Sequence, residues 1–132
     1  MKLKLYFITL ISFLAIDSLW LGLVAPSFYR SQIGHLMGDS PNFLAAGLFY
    51  LLFVYGMVFF AVEPGVRGGS LWQAALRGAL FGLVTYATYD LTNHATLTDW
   101  PVLMTVVDMA WGTVLSAAVT LVSVWAGTRW VS

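Results

Sequence analysis

Four long apolar runs divide the chain: Leu5 to Val24, Phe43 to Val62, Leu71 to about Asn93, and Pro101 to Ala126. A transmembrane helix needs about 20 mainly apolar residues, because each residue rises about 1.5 Å through a hydrocarbon core about 30 Å thick. Each run meets that length. The first is broken only by Asp17 and small hydroxyls, and the second carries no charge. The third has Arg77 near its start and Asp90 near its end, and the fourth holds Asp108. The alternating segments of about ten residues that a membrane β-barrel requires are absent. The pattern predicts an all-α integral membrane protein, four transmembrane helices in a bundle. They form one domain over residues 1–132, with spans at about 5–24, 43–62, 71–93 and 101–126.

The ends of the runs carry helix punctuation. Ser40 and Pro41 suit the N-cap and first helical position of the second helix, and Ser70 suits the cap of the third. Asp99, Trp100 and Pro101 suit the start of the fourth. Between the first two runs, Tyr29, Ile33, Leu36 and Met37 recur at helical spacing. This predicts a short interfacial helix in the first outer loop, lying on the membrane surface. Because Gly34 interrupts the segment, an irregular cap over the bundle is the alternative.

Composition narrows the class. Of 132 residues, 60% are hydrophobic and 9% charged, against about 25% charged in ordinary soluble domains. A disordered chain is excluded by the apolar mass. Six basic and six acidic residues cancel, and with no basic run there is no electrostatic grip on nucleic acid. Without cysteine there are no disulfides, thiolate metal sites or cysteine nucleophiles. Lys2, Lys4, Arg67, Arg77 and Arg129 fall on one side of the predicted bundle and Arg30 alone on the other. By the positive-inside rule both termini and the middle loop are cytoplasmic. Trp72 and Trp130 then mark the inner interface and Trp100 the outer one. The first run exceeds the usual 7–15 apolar residues of a signal peptide and lacks a small-x-small cleavage site, so it is expected to be retained.

The charges left over are the informative ones. An acid inside a span costs about 2.5–3.5 kcal/mol on insertion scales and marks a candidate site. Asp17 lies roughly 18 Å from the inner boundary and Asp108 roughly 10 Å from the outer one, so their depths nearly coincide. Asp90 is expected higher, near the outer interface, with Arg30 as the nearest base. Asp17 and Trp20 share a helix face, and Asp108 and Trp111 repeat that spacing. Tyr86, Tyr89, Asp90 and Asn93 form a stripe on the third helix, and Tyr50 lies at a similar depth on the second. Gly78 and Gly82 make a GxxxG that permits close helix approach. Turned inward, these faces would wall a polar, aromatic pocket opening outward. Turned toward their neighbours, they would only pack the bundle and set its register.

Several blocks together resemble a known family. They are Asp17-x-x-Trp20-x-Gly22; Ala25-Pro26 with Tyr29-Arg30 and Ile33-Gly34; Tyr89-Asp90-Leu91-Thr92-Asn93 followed by Trp100-Pro101; and Asp108 with Trp111-Gly112. The chain resembles, over nearly its whole length, a domain-of-unknown-function family of small bacterial predicted membrane proteins. The resemblance implies a multi-pass protein of the bacterial inner (cytoplasmic) membrane with four helices, and hints at membrane lipid. It implies no activity.

Three functions compete. The first is a binding or translocation site for a cation, a proton or a small amphipathic ligand. Its candidate residues are Asp17, Trp20, Arg30, Tyr50, Tyr86, Tyr89, Asp90, Asn93, Asp108 and Trp111. The second is a membrane-embedded enzyme modifying a lipid or isoprenoid with paired carboxylates as acid and base. The third is an accessory subunit of a membrane complex. No catalytic residue or cofactor is assigned, since no nucleophile elbow, phosphate-binding glycine loop or H-E-x-x-H motif is present. No metal is expected, because His35 and His94 fall in predicted loops without ligand spacing. Membrane lipids are the expected partners. A four-helix bundle is narrow, so transport would call for a homo-oligomer.

Overall fold

The computed structural model describes residues 1–130, so the last two residues of the predicted domain lie outside the described part. Its helices are α1 (Lys2–Leu23), α2 (Ala25–Ile33), α3 (Phe43–Val66), α4 (Leu71–Thr96) and α5 (Val102–Trp130). No strand occurs among the described residues. Helices α1, α3 and α5 are long and apolar enough to cross a membrane. Helix α4 is as long, with 26 residues, but carries Gln73, Arg77, Asp90, Asn93 and His94 and is not one of those three.

The helix ends follow local chemistry. Ser70 caps α4 as its side chain accepts from the Gln73 N–H at 3.0 Å. The cap of α3 is Asn42, not Ser40: its side chain accepts from the Ala45 N–H at 3.1 Å. Asparagine caps as well as serine does, and Pro41 stays outside the helix. Helix α5 starts one residue later than the pattern predicts, with the Pro101 carbonyl accepting from the Thr105 N–H at 3.4 Å. Asp99 takes a left-handed φ of 61°, a conformation aspartate tolerates. Pro26 sits in the first turn of α2, where a missing N–H breaks no helical bond. Inside α3, Val58–Val62 widen into a π turn. Pro64 follows; it lacks an N–H for the Phe60 carbonyl and its ring crowds that group, so the wider turn relieves the clash.

Small residues set the core. Gly78 and Gly82 of α4 face Gly112, Ser116 and Thr120 of α5, and a side chain at either glycine would run into the backbone and hydroxyls opposite. The GxxxG therefore brings α4 and α5 together, as expected for close helix approach. Helix α1 lies along α5 through Leu5, which fills the space beside Gly127. Phe13, Phe53, Val54, Met57 and Leu115 complete a buried centre.

Trp100 is 7% exposed, packed with Met104 and Ile33 beside the turn at Asp99. Trp72 and Trp130 are exposed. His94 is not in a loop but in the last turn of α4, which runs to Thr96.

Candidate functional site

On α1 the buried residues recur every fourth position: Leu5, Thr9, Phe13 and Asp17. On α4 they are Ala74, Gly78, Gly82 and Asp90, with half-buried Tyr86 between the last two. Residues four apart share one helix face, so each helix carries its inward stripe up to an aspartate at the same end of the bundle. Helix α5 runs the other way and presents Asp108 near its own start. The acids thus come to one end of the bundle because the buried stripes of α1 and α4 end in Asp17 and Asp90 where α5 presents Asp108.

At that end lies a cavity of about 450 Å³. Asp17 and Asp108, 7% and 5% exposed, both line it. Trp20 and Trp111, which also line it, stack on each other with centroids 4.5 Å apart and planes within 10°. The D-x-x-W spacing accounts for this: a tryptophan three residues after each aspartate lies on the same face. Tyr50, Tyr86 and Tyr89, with Phe49, add to the aromatic wall. The Tyr86 ring lies over Gly112, where any side chain would displace it. No lysine, arginine or histidine lines the cavity.

Helix α2 lines one side of the cavity with Tyr29 and Ile33, and Met37 lies beyond the helix on the same side. The Tyr29 hydroxyl donates to Asp108 Oδ1 at 2.6 Å and accepts from the Trp20 indole N–H at 3.0 Å. Burial, and then the bond to Asp108, hold the Tyr29 phenol above its usual range. Asp17 lies beside the Trp111 indole and within electrostatic reach of Asp108. The Trp111 N–H nevertheless makes no bond of acceptable geometry, so this contact is electrostatic rather than a formed hydrogen bond.

Asp90 is set apart from the other two acids. It is fully buried, neither carboxyl oxygen has a hydrogen-bond partner, and it stands against Asp108 outside the cavity lining. The reason is the glycine stripe: the face that lets α4 approach α5 at Gly78 and Gly82 carries Asp90 to the same interface. Arg30 is exposed, lies outside the lining and has no ion pair among the described residues. Asn93 is half-buried and also outside it. The other seven residues singled out from sequence line the one cavity: Asp17, Trp20, Tyr50, Tyr86, Tyr89, Asp108 and Trp111.

Sequence reasoning left Tyr29 out of the site, although the stripe of Tyr29, Ile33 and Met37 was visible as a helical pattern. What it could not supply was the direction in which that short helix folds. A second network braces the end of α4 against α5. The Trp100 indole N–H donates to the Thr105 hydroxyl at 2.9 Å, and His94 Nδ1 bonds the same hydroxyl at 3.0 Å. No group of three or more histidine or acidic side chains able to hold a metal ion occurs among the described residues.

The chain belongs to the family described as "Predicted membrane protein (DUF2177)", whose profile matches residues 2–125. No curated protein and no solved structure matches it.

Proposed function

We propose that this member of a membrane-protein family crosses the bacterial inner membrane four times, with both termini cytoplasmic, and holds a ligand-binding or translocation site in the outer half of its bundle. Helix α4 is the fourth span. Its 26 residues extend about 39 Å, enough to cross. Its polar groups do not argue against insertion: Asp90 is packed against α5, and Arg77 lies near the cytoplasmic end, where a long side chain reaches the interface. Helix α2 lies at the outer surface and caps the site.

One observation carries the reading: Asp17 and Asp108, from antiparallel helices far apart in sequence, open into one cavity walled by their own stacked tryptophans. A bundle needing only cohesion would not keep two carboxyls facing free space, since intramembrane acids are costly and polar helix contacts average only about 0.6 kcal/mol. A cation, a proton or a small amphipathic ligand fits the lining. Asp90, Arg30 and Asn93 stand outside the cavity lining. Lipids surround the bundle, and a translocation role would require a homo-oligomer.

The adjacent carboxyls of Asp90 and Asp108, with a phenol donating to one of them, favour a second reading: a membrane-embedded enzyme acting on a lipid or isoprenoid. An accessory-subunit role has no comparable support.

Single-cysteine labelling tests the topology without background, because the chain has no cysteine. Ser31→Cys and Thr98→Cys should react with an impermeant maleimide in intact cells, and Gln73→Cys only after permeabilisation. Labelling of Thr98→Cys and Gln73→Cys from the same side would remove α4 as a span. For the site, Asp17→Asn and Asp108→Asn should abolish the physiological function while the protein remains in the membrane. Full function in both variants would reduce the acids to packing. An altered lipid profile in a deletion strain, restored by wild type but not by Asp90→Asn, would favour the enzyme.

A further inference from the structure

We propose that the cavity takes a lipophilic organic cation, a quaternary ammonium or phosphonium-like group carrying apolar substituents. This rests on the reading of the cavity as a ligand site and specifies its ligand.

Three observations select that class. The first is charge. Asp17 and Asp108 face the cavity, Asp90 stands behind Asp108, and no basic side chain lines it. Arg30, the one base expected on the outer side, lies outside the lining and forms no ion pair among the described residues. An anion would meet carboxylates with nothing to offset them, and a neutral ligand would leave their field unused. The second is the wall. Trp20, Trp111, Tyr50, Tyr86 and Tyr89 surround the acids with aromatic faces, and such faces attract cations that shed water easily. A small hard cation instead demands a shell of oxygen ligands, and no group of three or more acidic or histidine side chains able to hold a metal ion occurs among the described residues. The third is size. About 450 Å³ lies within the range of sites for organic ligands, about 300–1,000 Å³, and is far larger than a bare ion requires.

The hydrogen bonds leave the acids available. Tyr29 occupies one oxygen of Asp108, and Asp17 receives no hydrogen bond of good geometry from its indole neighbour. A bulky cation with its charge spread under alkyl or aryl groups needs no directed hydrogen bond, only a carboxylate at contact distance and apolar walls.

The test compares tetraphenylphosphonium with tetraphenylborate, ions of nearly the same shape and opposite charge. Binding is measured on the full chain in neutral detergent, with partition into empty micelles subtracted. Tetraphenylphosphonium should bind saturably, quench tryptophan fluorescence and be displaced by tetrabutylammonium. Tetraphenylborate should not compete. Asp17→Asn and Asp108→Asn should each weaken phosphonium binding by about tenfold or more, and Trp20→Leu by a few-fold. The wild-type comparison needs no variant to fold. Equal binding of both ions, insensitive to the asparagine substitutions, would overturn the cation and leave a cavity that takes amphipathic molecules generally. Saturable binding of neither ion would overturn the cation and remove support from the ligand-site reading as well.

Discussion

Tyr29 and Asp108, separated by 79 positions in the chain, are joined by a hydrogen bond of 2.6 Å. This bond ties the short helix α2 to the start of α5 beside the cavity that Asp17 and Asp108 line. The same phenol accepts from Trp20, so one hydroxyl links α1, α2 and α5.

Removing that hydroxyl should loosen the cap and little else. Tyr29→Phe keeps the ring contacts and loses both bonds. A hydrogen bond to a charged group contributes about 1.5–3 kcal/mol. Amide exchange within Ala25–Ile33 should accelerate by at least about tenfold while α4 and α5 stay protected. Unchanged exchange in α2 would mean that apolar contacts alone hold the cap.

The phenol also makes a pH prediction. Its folded-state value is raised above the ordinary one of about 10, so the folded protein holds this proton more tightly than the unfolded chain. The corresponding stability is complete below about pH 10 and is lost as pH rises beyond it. In absorbance at 295 nm, the wild-type minus Tyr29→Phe difference should show no phenolate at pH 10. Half-titration at that pH would show that the site does not hold the proton.

The α4–α5 seam should tolerate no added bulk. Gly82→Val places methyl groups against the Gly112 carbonyl and the Ser116 side chain. It should cost about 1–3 kcal/mol or prevent folding altogether. Gly47→Ala, with open space around the new methyl, should be neutral or slightly stabilising, because alanine favours helix. Unfolding in mixed micelles compares them, and similar stabilities for the two would contradict the close approach.

Asp90 should report a conflict between stability and use. It is fully buried with both oxygens unpartnered beside another acid. Asp90→Asn removes one of two adjoining acids at almost constant volume and should leave stability equal or higher, by up to about 1 kcal/mol. A clear loss of stability would show instead that the carboxyl is a structural acceptor.

The Trp20–Trp111 stack should be visible spectroscopically. Two nearly parallel indoles 4.5 Å apart couple their transitions and give a signed pair of circular dichroism bands. Trp20→Phe and Trp111→Phe should each abolish the same pair. Additive, independent losses from the two variants would place the rings apart.

Much of this protein could be read along the chain because membrane helices are local objects. A run of apolar residues readily satisfies its own backbone hydrogen bonds as a helix, so helices form at Lys2–Leu23, Phe43–Val66, Leu71–Thr96 and Val102–Trp130, and three of them, all but Leu71–Thr96, are long and apolar enough to cross a membrane. The D-x-x-W spacing likewise placed each tryptophan beside its acid, since three residues nearly complete a turn. Spacing within a helix does not say how that helix is rotated against its neighbours. Gly78 and Gly82 decided the rotation of α4, and so drew Asp90 into the interface with α5 rather than toward the surface. Nor does it say where a short loop helix folds. The turns at Pro26 and Asp99 brought Tyr29 and Trp100 inward, where hydrogen bonds to Asp108 and Thr105 hold them. The sequence by itself determined the helices and the residues available on each face. Only the tertiary packing decided which faces meet, because that choice depends on side-chain volumes from segments distant in the chain.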